Sequence, residues 1–130
     1  MLKVLYMDVA DMEPRIIQLE KGDILGIQEL LRGSFDVMYP ETYGMNGVFA
    51  KHIFYVNDCF LDGSFEPNFF INIEAMLKED YNRAGLIYGP LILAGVDDMG
   101  GMVSIADENM ELMIKYLQGN LLQNSKRIPK

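Results

Sequence analysis

The chain has 130 residues, a formal net charge of −8 and one cysteine, and half of its residues are hydrophobic. This length suits a single domain, and the hydrophobic content is too high for a disordered segment. A lone cysteine excludes an internal disulfide and a multi-cysteine zinc site. No apolar run approaches the roughly 18 residues of a membrane-spanning helix, and the amino terminus lacks a signal-peptide pattern. We therefore expect a cytoplasmic protein that does not bind a membrane.

The acidic charge is concentrated in residues 1–120. The last ten residues contain three bases and no acid, which leaves eight bases against nineteen acids in the rest of the chain. Nucleic-acid binding is disfavoured, because phosphate recognition relies on a basic surface. A positively charged partner fits this charge better, although acids also serve solubility alone. We expect residues 1–120 to form one domain and residues 121–130 to form a basic, frayed tail.

The first third of the chain predicts a hairpin followed by a helix. Leu2–Val9 and Pro14–Glu20 are both rich in residues that favour strands. Asp23 is placed to cap the helix, and Gly33 is placed to end it in a left-handed conformation. The apolar residues between them recur at helical spacing: Ile24, Ile27, Leu30 and Leu31.

The middle of the chain predicts three strands and one helix. Phe35–Tyr39 alternates as a short strand, and Val48–Asn57 is apolar on both faces, which predicts a central strand. The aromatic and aliphatic residues of Pro67–Arg83 recur at helical spacing, so a helix is predicted there. Leu86–Val96 is the most hydrophobic run and predicts a buried strand, bent at Gly89-Pro90.

The last part of the chain predicts a short extended piece at Met102–Val103 and a helix that ends at Gly119. Ser104 and Asp107 resemble a capping box at the start of this helix. The order of these elements predicts an α+β fold, with a mainly antiparallel sheet of about five or six strands and two or three packed helices.

No established catalytic or cofactor motif is present. The chain lacks a phosphate-binding loop, a dinucleotide fingerprint and a nucleophile elbow. The single histidine, His52, pairs with Cys59 as a conceivable nucleophile dyad, but a half-buried histidine and a buried cysteine are the simpler interpretation. Asp97 and Asp98 precede two glycines and are interpreted as turn residues rather than as a cation site. No metal or cofactor is expected.

Two tyrosines surround a flexible turn after the predicted strand at Phe35. Tyr39 and Tyr43 are separated by a polar segment that contains a proline, and Tyr43 is followed by glycine. Tyrosine provides a large contact area at low entropic cost, which suits a partner-binding surface. Ordinary packing against the core is the alternative. The ten methionines offer the same choice between an adaptable surface and core filling.

Several segments together resemble a family of small phage and mobile-element proteins, domain of unknown function 3846. The resemblance spans most of residues 1–118 and is strongest from Ile87 to Glu108. Its matching segments are Leu2–Asp8, Gln28–Gly33 leading into Phe35–Val37, Asn82-Arg83-Ala84, and Ile87–Pro90 leading through Gly95 and Asp97 to Ser104, Asp107 and Glu108. The resemblance implies an accessory protein that acts inside a bacterium, and it implies no catalytic residue.

The leading hypothesis is a non-enzymatic phage or mobile-element protein that binds a host protein and inhibits a host defence. Its candidate partner-binding residues are Tyr39, Tyr43 and Glu111. A narrower version of this hypothesis is that Glu111 and its acidic neighbours mimic DNA. The alternative is a protein that sequesters a small molecule such as a nucleotide signal. Its candidate ligand-binding residues are Asn82, Arg83 and Tyr88, with the arginine as the anion contact. An enzyme that uses His52, Cys59 or carboxylates is a third hypothesis, and the oligomeric state stays open.

Overall fold

The computed structural model describes residues 1–8, 14–39, 49–58, 67–70 and 86–119. Within these ranges the chain forms eight strands and two helices. The strands are β1 Leu2–Met7, β2 Arg15–Leu19, β3 Phe35–Met38, β4 His52–Asn57, β5 Pro67–Phe70, β6 Leu86–Tyr88, β7 Leu91–Val96 and β8 Met102–Val103. The helices are α1 Ile24–Leu31 and α2 Asp107–Gly119.

Six of the strands form one antiparallel sheet in the order β2-β1-β7-β4-β3, with β8 paired to β7. The remaining two, β5 and β6, form a separate antiparallel pair. The predicted hairpin of the first two strands is confirmed. The predicted central strand lies inside the sheet between β7 and β3, but it begins at His52 because residues 49–51 form a turn. The prediction of an α+β fold with a mainly antiparallel sheet and packed helices is therefore confirmed.

Both faces of the sheet carry apolar side chains, and one helix packs against each face. Strand residues alternate between faces, so Leu91 and Leu93 pack with α2 while Ile92 and Ala94 pack with α1. We call these the α2 face and the α1 face. Among the residues whose burial the structure describes, Phe54 is the largest fully buried side chain, and it lies on the α2 face. Burial of such a side chain contributes roughly 1.5–3 kcal/mol.

Helix α1 begins as predicted and ends one residue earlier than predicted. The Asp23 carboxylate accepts a hydrogen bond from the Gly26 N–H at 3.0 Å and so caps the helix. At the other end Arg32, rather than Gly33, adopts the left-handed conformation, with a φ of 64°. The Gly33 N–H donates to the Gln28 carbonyl at 2.9 Å. This bond pattern is the Schellman motif. In this motif the left-handed residue comes directly before the residue whose N–H makes the long bond, so Arg32 is left-handed and Gly33 donates.

Two sequence predictions of helical structure are wrong. Pro67–Phe70 forms a strand rather than the start of a helix, because it pairs with Leu86–Tyr88. Residues 71–83 of that predicted helix lie outside the described residues. The capping box predicted at Ser104 does not form, because α2 begins only at Asp107. The Ser104 hydroxyl instead accepts from the Lys3 backbone N–H at 2.9 Å, and Asp107 forms an ion pair with the Lys3 ammonium.

The bend predicted at Gly89-Pro90 is confirmed. Strand β6 ends at Tyr88 and β7 begins at Leu91, and Gly89 has a φ of 88°. A positive φ is readily adopted only by glycine, and proline lacks the N–H that a continuous strand needs. The two residues therefore divide the hydrophobic run into strands that belong to different sheets.

Candidate functional site

Strand β3 is one of the two outermost strands of the main sheet. Its inner side pairs with β4 in the register Phe35 to Asn57 and Met38 to Phe54. In the described part of the chain, no strand pairs with its outer side. An edge strand of this kind presents a row of backbone donors and acceptors to its surroundings.

The register identifies which backbone groups of β3 point outward. The Asp58 N–H donates to the Ser34 carbonyl at 3.0 Å, so these two residues form a hydrogen-bonded pair. In an antiparallel ladder, such pairs alternate with pairs that do not exchange bonds. It follows that Asp36 bonds to β4, whereas the N–H and C=O groups of Phe35 and Val37 point away from it.

Three side chains form a row on the α1 face, which we call the β3 edge row: Phe35 and Val37 of β3, and Tyr39, which directly follows the strand. Val37 is 44% exposed and Tyr39 is 42% exposed. Phe35 is half-buried and meets the Tyr55 ring edge-on, with ring centroids 5.7 Å apart. The row therefore joins the core at one end and presents apolar and aromatic surface at the other.

Tyr55 connects the β3 edge row to the interior of the sheet. It lies opposite Val37 across the β3–β4 ladder and is buried. Burial raises the pKa of the Tyr55 hydroxyl, and the neighbouring charge of ionised Tyr39 raises it further. The Tyr55 hydroxyl therefore stays protonated at neutral pH.

Two carboxylates lie beside the same edge on the opposite, α2 face. Asp36 pairs with Val56, and Asp58 directly follows the end of β4, where its N–H continues the ladder to Ser34. Alternation along the chain therefore makes the two acids diagonal neighbours. Both side chains are exposed. Among the described residues, neither of them forms an ion pair. The β3 edge thus has an apolar side and an acidic side.

The predicted partner-binding residues do not form one surface. Tyr39 lies on the α1 face beside the edge of the sheet. Glu111 lies on α2, which covers the opposite face, and forms an ion pair with Lys115 at 3.5 Å. Tyr43 lies outside the described residues. Only Tyr39 therefore contributes to the site at the β3 edge.

The predicted small-molecule site falls largely outside the described part of the chain. Asn82 and Arg83 are not among the described residues. Tyr88 is the last residue of β6 and pairs with Pro67 in the two-stranded sheet. The hypothesis of a ligand site at these three residues therefore stays a prediction.

The single histidine is a buried strand residue. His52 lies opposite Gly95 at the start of β4, and its Nδ1 lies 2.9 Å from the Ala50 carbonyl oxygen. Burial lowers the pKa of His52, and hydrogen bonds to the backbone offset part of this effect. Cys59 lies outside the described residues, so the proposed dyad of these two residues stays a prediction.

The paired aspartates occupy the turn between β7 and β8, as predicted. Asp97 Oδ1 accepts from the N–H groups of Met99 at 2.9 Å and Gly101 at 2.8 Å. These bonds hold the pKa of Asp97 below its ordinary value. The carboxylate therefore organises its own turn. Within the described residues no cluster of three or more potential metal ligands occurs.

Most of the described methionines fill the core rather than form a surface. Met1 and Met99 are exposed. The buried ones are Met7, Met38, Met102, Met110 and Met113. Four of these five belong to the cluster on the α2 face, and Met102 packs on the α1 face.

Sequence reasoning missed the contributions of Val37, Asp36 and Asp58 to this site. The alternation of Phe35–Tyr39 predicts a strand and places Val37 on the same side as the tyrosine. Only the order of strands shows that this strand lies at an edge of the main sheet. The signal that was available is the acid between two apolar residues, a pattern typical of edge strands.

Comparison with known proteins gives no further assignment. No protein-family model, curated protein or solved structure matches this chain. Neither of the two described helices is long and apolar enough to span a membrane.

Proposed function

We propose that this chain is a non-enzymatic binding protein that holds a protein partner along the β3 edge row. The observation that carries the proposal is the exposure of Val37 and Tyr39 side by side on an edge strand. Isolated exposed apolar residues are common on protein surfaces. Here the two follow each other on one face and continue into Phe35 and the core.

The chemistry of the row suits a protein partner. Tyrosine is enriched in protein interfaces, where its ring loses apolar surface to water while its hydroxyl keeps a polar contact. The Phe35 ring, at one end of the row, packs edge-on against Tyr55, which lies opposite Val37. A partner that covers Val37 and Tyr39 would therefore contact a preformed surface with little loss of side-chain entropy.

The resemblance to small phage and mobile-element proteins gives this proposal a biological setting. We propose a bacterial host protein as the partner, with inhibition of a host defence as the outcome of binding. The acidic balance of eight bases against nineteen acids over residues 1–120 favours a partner with a basic surface.

An affinity-capture experiment tests the proposal with matched variants. The wild-type chain, the double variant Val37→Ser/Tyr39→Ser and the control Ile16→Ser are each used as bait in bacterial lysate. Ile16 is a suitable control because it is 51% exposed and lies on β2, the opposite edge of the sheet. We expect a protein that is recovered with the wild type and the control but not with the double variant. Equal recovery with all three baits would contradict the proposal.

A further inference from the structure

We infer that the partner contributes an extended segment that pairs with β3 as an additional strand of the main sheet. In this arrangement the segment places apolar side chains beside the β3 edge row and basic side chains beside Asp36 and Asp58. The inference rests on the proposed function, and it specifies how the partner is recognised.

The backbone of β3 supplies the first step of the argument. The N–H and C=O groups of Phe35 and Val37 point away from β4, and in the described part of the chain no strand takes them up. Addition of a partner strand satisfies such groups with main-chain hydrogen bonds. Contact with the side chains of the row alone would not provide these main-chain bonds.

The two faces of the edge supply the second step. Successive residues of an added strand point alternately to the α1 face and to the α2 face. On the α1 face they meet Val37 and Tyr39, and on the α2 face they meet Asp36. Cross-strand pairs of opposite charge and pairs of apolar side chains both stabilise a ladder. The geometry therefore selects a segment in which apolar residues alternate with lysine or arginine.

The charges also make a second copy of this chain a poor occupant of the edge. Self-pairing through β3 would bring two sets of Asp36 and Asp58 to one junction, and each chain has a net charge of −8. Like charges on neighbouring strands destabilise pairing. A basic segment from another protein removes this repulsion.

Synthetic peptides provide a defined probe. Three fluorescent eight-residue peptides alternate valine or phenylalanine with lysine, with serine or with glutamate, and binding to the full chain is measured by fluorescence anisotropy. We expect the lysine peptide to bind at least ten-fold more tightly than the glutamate peptide. Absence of binding by all three peptides, or equal binding of the lysine and glutamate peptides, would overturn the inference.

Proline variants test the backbone contribution. Val37→Pro removes an outward N–H without removing a bond to β4, whereas Val37→Thr keeps the N–H and a similar shape. Ile16→Pro is the matched control, because the ladder alternation also directs the Ile16 N–H outward, on the opposite edge. We expect Val37→Pro to weaken binding of the lysine peptide at least ten-fold. Val37→Thr and Ile16→Pro should leave this binding unchanged.

A modified peptide keeps the test independent of the folding of any variant. N-methylation of the lysine peptide at alternate residues removes its own donors to β3, and we expect the same ten-fold loss with the wild-type chain. Binding unaffected by N-methylation would overturn strand addition. A dimer of the chain alone that Val37→Pro dissociates would also overturn it, in favour of a second copy.

The two proposals fail in different ways. Suppose that the double variant Val37→Ser/Tyr39→Ser loses a captured protein that Val37→Pro still binds. This result would support the proposed function but overturn strand addition. Capture that none of the variants affects would contradict the proposed function itself.

Discussion

The side-chain amide of Asn57, the last residue of β4, donates a hydrogen bond to the carbonyl oxygen of Leu31, the last residue of α1, at 2.8 Å. The same amide lies 3.4 Å from the next carbonyl, that of Arg32. The Tyr6 hydroxyl donates to the preceding carbonyl, that of Leu30, at 3.1 Å. Side chains of the sheet thus satisfy the carbonyls that the end of a helix leaves without partners. This arrangement fixes α1 on its face of the sheet.

Replacement of Asn57 should destabilise the protein. Asn57→Ala removes the side-chain donor to the buried Leu31 carbonyl, and we expect a loss of about 1–3 kcal/mol in the free energy of unfolding. Denaturant titration followed by circular dichroism measures this change. Gln18→Ala removes an amide from an exposed position on β2 and should change stability by less than about 0.5 kcal/mol. If Asn57→Ala lowers the free energy of unfolding no more than Gln18→Ala does, the bond to α1 contributes nothing to stability.

A methyl group at Gly95 should be poorly tolerated. An added Cβ would lie 2.8 Å from the backbone carbonyl oxygen of Ser104 and 3.2 Å from that of Val103. The backbone at and after β8 cannot move away from the added methyl group without loss of the pairing with β7. We therefore expect Gly95→Ala to lower the free energy of unfolding by about 3 kcal/mol, at the upper end for overpacking. Gly100→Ala has open space but a φ of 84°, and should cost only about 1 kcal/mol. Thermal unfolding of both variants gives the comparison.

Stability should fall as the pH drops through the titration range of histidine. His52 has an ordinary pKa of 6.5, and burial lowers its pKa in the folded state. Between these two pKa values the unfolded chain binds more protons, so acidification favours unfolding. We expect the free energy of unfolding to decrease from pH 7.5 to pH 5.5.

The assignment to His52 is direct because the chain contains one histidine. His52→Asn keeps a donor near the Ala50 carbonyl but does not titrate, so its stability should vary less over the same pH range. Denaturant titrations of both proteins at several pH values provide the measurement. A wild-type profile that the substitution leaves unchanged would place the pH dependence elsewhere.

The turn between β7 and β8 should depend on the Asp97 carboxylate. Asp97→Ala removes the acceptor for the Met99 and Gly101 N–H groups, and we expect faster hydrogen exchange at these two amides. Asp97→Asn keeps an oxygen acceptor and should preserve most of the protection. In the wild type, the protection should decline only when the pH falls below the ordinary value of 3.8, because the pKa of Asp97 is lowered. Exchange measured by NMR distinguishes these outcomes.

Local patterns determined most of the elements of this fold. The alternation of Phe35–Tyr39 and the apolar faces of the strand that ends at Asn57 require only neighbouring residues for their interpretation. The same holds for the helical spacing after Asp23. The acidic balance and the missing catalytic motifs are likewise properties of the sequence, and they led to the hypothesis of a binding protein.

Long-range contacts decided the rest. Strand β1 lies beside β7, far along the chain, and this order makes β3 an edge strand. Pro67–Phe70 has aromatic spacing that fits a helix, but pairing with β6 makes it a strand. The Ser104 hydroxyl binds Lys3 instead of capping α2. In each case a hydrogen-bond partner distant in sequence outweighs a local preference, because local propensities are small compared with the free energy of tertiary packing.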